Sequence, residues 1–561
     1  KAADQLRERT SREASTLHSF LAQHGWLSDN MDFRREGGRK EDGFTTYVID
    51  ESSMLDLPLL AAFFRSVNWN SVQRLIFVGD PNQLPPIGTG KVFADLIDWL
   101  RDELPGNVGE LKVNMRQLGN RLSGESSGIL DLAQVYLRRP LADQKSADLD
   151  AQEDDILRKV QEGGDITHDL RVLYWQTTDD LEQLLIETMV ADMESATGTK
   201  LDEDRPYKLW EAAMKDETGR SDPEAIQVLS PYRGDLFGID HLNLVLQNHK
   251  NRWWLENKGS LAGITVHDKV IQVRNRARSN AMWAYNLQTR NNEKVDLFNG
   301  EIGMTKLHAF DSKKWHWSGF YVTRFQVTFS RKKQVWVEFT SESQVEGNLE
   351  LAYAISVHKA QGSEFGHVYL VLPKHRRALL SRELFYTGLT RAQRHCTLLI
   401  QEDISPLLSL RRRETSHLAQ INSSLFRFRP VPPELQTMGS WYEEGKIHRT
   451  LTEQMVRSKS EVIIANILFD RDVPFQYEVP LRVDDGTFYL PDFTINLRGQ
   501  IWYWEHVGML HNERYRNHWE TKRKWYEKHG YAARLIVTTE EGGFDSTVDL
   551  SILRHRLGIV G

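Results

Sequence analysis

Two short apolar runs, each stopping abruptly in acidic and small residues, constrain this chain more than any other stretch. Val48 and Ile49 lead into Asp50-Glu51-Ser52-Ser53, and Leu75 to Val78 lead into Gly79-Asp80-Pro81-Asn82-Gln83. Between them, residues 55–67 read as an apolar helix. Strand, helix and strand, with polar groups at both strand carboxyl ends, is the repeating unit of an open parallel α/β sheet, which builds its ligand site along that edge. An Asp-Glu pair there has a definite chemical use: the first carboxylate holds Mg²⁺ and the second orients and deprotonates an attacking water. The competing use is structural, because acids that follow a strand also cap the next helix.

The rest of the chain has to decide between these readings. At 561 residues it is long enough for roughly three to five domains. A single cysteine, Cys396, rules out an intramolecular disulfide and a cysteine-rich zinc site, which suits a reducing cytoplasm. No apolar run approaches the roughly 18 residues of a membrane span, so no membrane partner is expected. The net charge of −7 argues against a globally basic coat, yet the charge is segregated. Residues 351–430 carry 12 Lys and Arg against 5 Asp and Glu, whereas residues 143–222 are rich in acids.

In chain order, residues 1–21 read as broken helix and residues 30–43 as a polar, glycine-bearing loop. Residues 109–117 read as a strand ending in arginine, residues 139–222 as acidic helix, and residues 225–232 again as strand. From His267 to Phe339 the pattern changes to strict alternation in short segments (KVIQV, NGEIGM, GFYVTRFQVTF, QVWVEF), which predicts a small inserted β-barrel. Residues 351–372 and 384–400 return to the α/β pattern, and residues 414–437, with Pro430, Pro432 and Pro433, predict a linker.

Taken in order, these segments resemble the motifs of the RecD-like branch of superfamily 1 helicases over about residues 1–400. KAADQL with STLHSFL resembles the segments that touch the single-stranded backbone, VIDESSM the Walker B motif, and GDPNQLPPIGTGKVFADL motif III. VNMRQ, VLSPYRGDLFGIDHLN, FNGEIG, AISVHKAQGSEF and LFYTGLTRAQRH complete the series. The resemblance implies two RecA-like parallel-sheet motor domains that bind ATP and Mg²⁺. It implies Asp50 on the metal, Glu51 as general base, Gln83 and Gly362 at the nucleotide, and Arg116 and Arg391 closing on the γ-phosphate from two sides. Thr16, His18, His358, Lys359 and Gln361 are the implied nucleic-acid contacts, with capping or packing the alternative for His18 and His358. The resemblance also calls for a glycine-rich loop ending in Gly-Lys-Thr/Ser. The sequence opens KAADQLRERT, without Met and inside the next segment, so that loop is expected upstream of Lys1; GTGKVF at residues 88–93 belongs to motif III instead.

The carboxyl-terminal region resembles the PD-(D/E)XK nucleases, a restriction-endonuclease-like α/β fold. Ser458 and Glu461 open an apolar helix, GTFYLPDFTI and QIWYWEHVG follow as strands, and a helix with Lys522 and Lys524 comes next. Pro491-Asp492 supplies the family's "PD", and Glu505 lies 13 residues on, a separation that a hairpin spans. The resemblance implies that Asp492 and Glu505 hold Mg²⁺ or Mn²⁺, with Glu461 as a further ligand. Two features compete. Ser458 with Glu461 is also a capping box, and Val507 stands where the family has lysine, a place that Lys522, Lys524 or His506 would have to fill. The aromatics Trp502, Tyr503, Trp504, Trp519, Trp525 and Tyr526 suit core packing, with base stacking as the second use.

The expected organisation is therefore a first motor domain over 1–120, a second over 121–265 and 350–430, an inserted β-barrel over 266–349, and a nuclease-like domain over 431–561. The expected function is an ATP-driven 5′–3′ translocase on single-stranded DNA or DNA ends, coupled to a metal-dependent nuclease in repair or defence against foreign DNA. Two alternatives stay open: an RNA helicase, and a binding subunit whose nuclease fold only grips DNA.

Overall fold

The computed structural model describes the chain from Leu6 to Thr539, apart from residues 8–9, 29–31, 112–126, 138–145, 277–279, 310, 315, 318, 375–379, 412–414, 422, 424, 426–447, 453, 472, 484, 486, 498–499 and 509–512. Arg116 and most of the expected linker lie outside the described residues. Two compact units emerge, residues 1–375 with 380–427, and residues 376–379 with 428–561.

In the first unit, helix α1 (Leu17–Gln23) precedes strand β1 (Thr46–Ile49), helix α2 (Leu57–Ser66) and strand β2 (Arg74–Phe77). Strands β1 and β2 pair in parallel from Thr46↔Arg74 to Ile49↔Phe77, as the opening stretch predicts. Helix α2 starts where the Asp56 side chain accepts the Leu59 N–H at 2.8 Å, with Pro58 in the first turn. Its inner face packs Phe63 and Val67 on Ile49. Helix α3 (Val92–Glu103) follows the second loop.

The chain then forms helix α4 (Ser146–Glu162), the edge strand β3 (Gly164–Thr167), β4 (Leu170–Trp175), α5 (Thr178–Thr197), α6 (Tyr207–Ala213), β5 (Ile226–Ser230) and α7 (Ile239–Lys258). After an excursion it adds β13 (Ala354–Ser356), β14 (Phe365–Leu372), α8 (Arg382–Leu389) and β15 (Ala392–Gln401). These strands form one sheet in the order β13-β5-β14-β15-β4-β3, parallel throughout except for the antiparallel edge β3. Every residue of β5 and β13 is buried. A parallel sheet is covered on both faces, here by two separate clusters, so even Gln227 and Ser230 of β5 are enclosed.

The excursion holds β6 (Lys269–Gln272), β7 (Met282–Asn286), β8 (Asn292–Val295), β9 (Ile302–Leu307), β10 (Phe325–Phe329), β11 (Val335–Phe339) and β12 (Leu349–Leu351). All pair antiparallel, in the order β12-β6-β9-β10-β11-β7-β8. The alternation in sequence is the alternation of core and surface: Val335, Val337 and Phe339 point inward, Trp336 and Glu338 outward. The sheet differs from the expected closed barrel in one respect. Its order has two ends, β12 and β8, with no pairing between them among the described residues. Strand β8 (NEKV) is short and charged, as an exposed edge requires.

The second unit contains helix α9 (Lys459–Asp470), β16 (Phe475–Tyr477), β17 (Phe493–Leu497), β18 (Gln500–Val507), α10 (Glu513–Lys528) and β19 (Leu535–Thr539), together with two small two-stranded ribbons. Its sheet order is β16-β17-β18-β19, antiparallel except for the β18–β19 pair. Helix, hairpin and helix follow in the expected succession, with the strands Phe475–Tyr477 and Leu535–Thr539 in addition, around a core of Ile464, Leu468, Phe493, Ile495, Trp504 and Ile536.

Candidate nucleotide and nuclease-like sites

At the end of β1, Val78 N–H donates to Ile49 C=O (2.8 Å) and Ser52 N–H to Val78 C=O (2.9 Å), so the two loops leave the sheet locked together. Gly79 suits this crowded point, where a Cβ would stand 3.0 Å from the Ser52 nitrogen. Glu51 takes a left-handed backbone (φ 53°), unusual for a non-glycine residue and common at functional turns. Its N–H donates to Asp50 Oδ1 at 2.9 Å, and the Asp50 carboxylate is exposed.

Burial raises the pKa of Glu51; Arg391 opposes the rise, while Asp50, Asp80 and Glu364 add to it. The groups that act on Glu51 thus come from both sheets of the unit. Arg391, at the junction of α8 and β15, is buried and donates to the carbonyls of Ser363 (3.0 Å) and Thr387 (3.1 Å). Asp80 accepts the Tyr386 hydroxyl (2.8 Å) and the Asn82 N–H (2.9 Å). Leu84 N–H donates to Thr387 Oγ1 (2.9 Å), and the Gln361 amide donates to Leu84 C=O (3.2 Å). Gln83 lies inside this seam with a buried Oε1 that has no partner. Gly362 has φ +66°, a turn that glycine adopts without strain. Sequence reasoning missed Asp80, Glu364, Tyr386 and Thr387, although all four sit within the quoted motifs.

The implied nucleic-acid contacts are placed less directly. Thr16 caps α1 by accepting the Ser19 N–H at 3.1 Å, and the exposed His18 lies 5.9 Å from the Phe33 ring. Lys359 pairs with Glu350 at 2.8 Å, and Glu350 also faces Arg233 at 3.4 Å. His358 beside it is half-buried.

In the second unit, the register Phe493↔Trp504 brings Asp492 beside Glu505, as the 13-residue spacing anticipates. Asp492 Oδ2 accepts the His506 N–H at 2.6 Å. Burial first, and then Glu505, pushes the Asp492 pKa far above the carboxylate range, while Lys522 opposes. Glu505 is raised by burial against the pull of Lys522. Its oxygens take Lys522 Nζ (2.6 and 2.8 Å) and the Tyr526 hydroxyl (2.7 Å).

Of the two candidate lysines, Lys522 reaches the acids and Lys524 is exposed, because two positions along a helix turn through roughly 200°. The Glu461 carboxylate closes a capping box with Ser458 and accepts the Tyr477 hydroxyl (2.6 Å), the capping use that competes with a ligand role. Among the described residues no three His, Cys, Asp or Glu side chains form a metal-ligand group. The Glu505 carboxylate is held by an ammonium and a phenol. Tyr503, Trp504, Trp525 and Tyr526 are buried in the unit, and Trp502 and Trp519 pack against its two clusters.

At the first site the donor set fits MgATP. Mg²⁺ keeps most of its water and asks for one or two carboxylates besides the phosphates; the exposed Asp50 would supply one, which leaves Glu51 free to act as a base.

A family model described as an AAA domain matches residues 1–127, and one described as a UvrD-like helicase C-terminal domain matches residues 351–399. An uncharacterized protein of Methanocaldococcus jannaschii is 27% identical over 92% of this chain and 42% of its own length. The RecBCD enzyme subunit RecD of Haemophilus influenzae is 25% identical over 70% of this chain and 56% of its own. The ATP-dependent RecD2 DNA helicase of Deinococcus radiodurans is 27% identical over 70% and 41%. The chain thus spans about half the length of the curated relatives it matches. The ordered motifs and the parallel sheets go with these matches: over most of its length the chain is similar to RecD-type helicases.

Proposed function

We propose that this protein is an ATP-driven motor that moves 5′ to 3′ on single-stranded DNA. The observation that carries the reading is that the loop after β2 is bonded to the helix that leads to Arg391: Asp80 accepts the Tyr386 hydroxyl (2.8 Å) and Leu84 N–H donates to Thr387 Oγ1 (2.9 Å). Asp50 holds Mg²⁺, which neutralises the phosphate charge when the nucleotide is bound. Glu51, raised by burial, accepts the proton of the attacking water. Arg391 stabilises charge from the second sheet, and the Leu84–Thr387 and Asp80–Tyr386 bonds transmit closure between the sheets. The basic stretch 351–430 carries part of the DNA track, with phosphate contacts that weaken as salt rises. Glu51→Gln should lower DNA-stimulated ATP turnover at least about 100-fold while ATP binding persists. Robust turnover by that variant removes Glu51 from its role, and stimulation by RNA but not by DNA replaces DNA with RNA as the track.

For the carboxyl-terminal unit, the Lys522–Glu505–Tyr526 contacts favour a nuclease fold that grips DNA without cutting it. Labelled single- and double-stranded DNA incubated with Mn²⁺ should stay intact. Metal-dependent cleavage that disappears in Asp492→Ala would instead establish the coupled nuclease.

A further inference from the structure

The outer face of the inserted sheet carries an unassigned feature. Tyr285 and Trp336 are cross-strand partners, with ring centroids 6.1 Å apart. Trp283 is two residues from Tyr285, hence on the same face and about 7 Å along the strand. It is 57% exposed. Lys294, paired with Trp283 across β7–β8, holds its ammonium 5.7 Å from that ring. Lys306 lies close over the ring of Trp336. Burial lowers Lys306 to about 7, and a phosphate beside it would restore its charge. Arg290, in the β7–β8 turn, is exposed. The acid on this face, Glu338, is engaged by Gln326 (3.3 Å) and faces His308 (3.5 Å). Of the neighbouring positions on this face, Asn292 is exposed, Thr328 half-buried and Gln326 buried, so the face offers rings and cations rather than an aliphatic patch.

We infer that this face is a stacking platform for single-stranded nucleic acid, separate from the motor site, on which Trp283, Tyr285 and Trp336 take successive bases while Lys294 and Lys306 meet the backbone. Rings at base-like spacing with interleaved cations suit single strands, whose bases are free to stack; duplex ends and protein helices do not present such a series. The platform needs no ATP chemistry, so it is tested without nucleotide and stands or falls independently of the motor.

The test is fluorescence anisotropy of a labelled oligo-dT strand with the full chain, wild type against Trp283→Ala, Trp283→Phe and Lys294→Glu. Trp283→Ala should bind about tenfold more weakly and Trp283→Phe close to wild type. Lys294→Glu should be weaker with a shallower salt dependence. Photocrosslinking of a 5-iodouracil strand should mark the segment 282–295. Unchanged affinity in both Trp283→Ala and Lys294→Glu overturns the platform. So does a Phe variant as weak as Ala, or crosslinks confined to residues outside 282–336, the last pointing to a protein as the occupant of this face.

Discussion

Lys522 and Glu505 form the most consequential single pair in the second unit. Both are nearly inaccessible, with side-chain exposures of 12% and 5%, and the ammonium also donates to Leu490 C=O at 2.6 Å. Removing one partner of such a pair leaves an uncompensated buried charge. Lys522→Met should therefore destabilise this unit by about 3–5 kcal/mol, read as a shift in the denaturant midpoint of its near-ultraviolet signal. A loss within about 0.5 kcal/mol would show that Glu505 protonates at no cost. The sequence makes Lys522 and Lys524 equal candidates, because spacing alone does not say which side of a helix meets the sheet. Val507 tells more: it shares a face with Glu505 and is buried, so the cation must arrive from another element.

Among elements, the junction between α7 and the inserted sheet is the most heavily wired. Helix α7 breaks at Asn251 (φ −122°, ψ 17°), whose amide donates to Asp268 Oδ1 at 2.6 Å. Asp268 also receives Tyr353 OH, Gln247 and the Thr265 N–H, so every contributor to the junction meets one carboxylate. A side chain intruding on the helix ladder is a sufficient cause for the kink. Lys250, the preceding residue, donates to His267 C=O and lies between the rings of Trp210 (5.7 Å) and Tyr353 (5.3 Å). Burial lowers its pKa to about 8, against the pull of Glu211 and Asp268. The unfolded chain keeps that proton to roughly pH 10.4, so between about 8 and that value the unfolded state binds more protons and stability from this group rises with pH. Denaturant midpoints at increasing pH should show this slope in the wild type and not in Lys250→Met. Parallel curves would mean that Lys250 titrates normally. None of this is visible in the sequence, where Asp268 and Lys250 look like surface charges.

At the scale of the whole first unit, the seam between residues 80–84 and 361–391 is what turns two parallel sheets into one site. Thr387 Oγ1 is the acceptor for Leu84 N–H, so Thr387→Val strands a buried donor at a cost of about 1–3 kcal/mol. The coupling between nucleotide and DNA should weaken with it. The ratio of single-stranded DNA affinities with and without a non-hydrolysable ATP analogue should move toward one. A ratio equal to that of the wild type would exclude the seam as the transmitting element.

The sequence by itself determined the parallel α/β character of the first unit, the alternating inserted sheet and the helix–hairpin–helix order of the second unit, and it singled out Asp50, Glu51, Asp492 and Glu505 as candidates at strand ends. These follow from local causes: apolar period, turn residues, and chemistry that must stand at strand ends. Tertiary structure decided which charges meet. It brought Glu51 within the electrostatic reach of Arg391 and Asp80, closed Lys522 rather than Lys524 on Glu505, engaged Glu461 in a helix cap, and turned Trp283, Tyr285 and Trp336 onto one face. Contacts across tens to hundreds of residues depend on sheet register and helix phase, which a local pattern specifies only modulo its own period. Burial then changes the charge and function of the groups brought together.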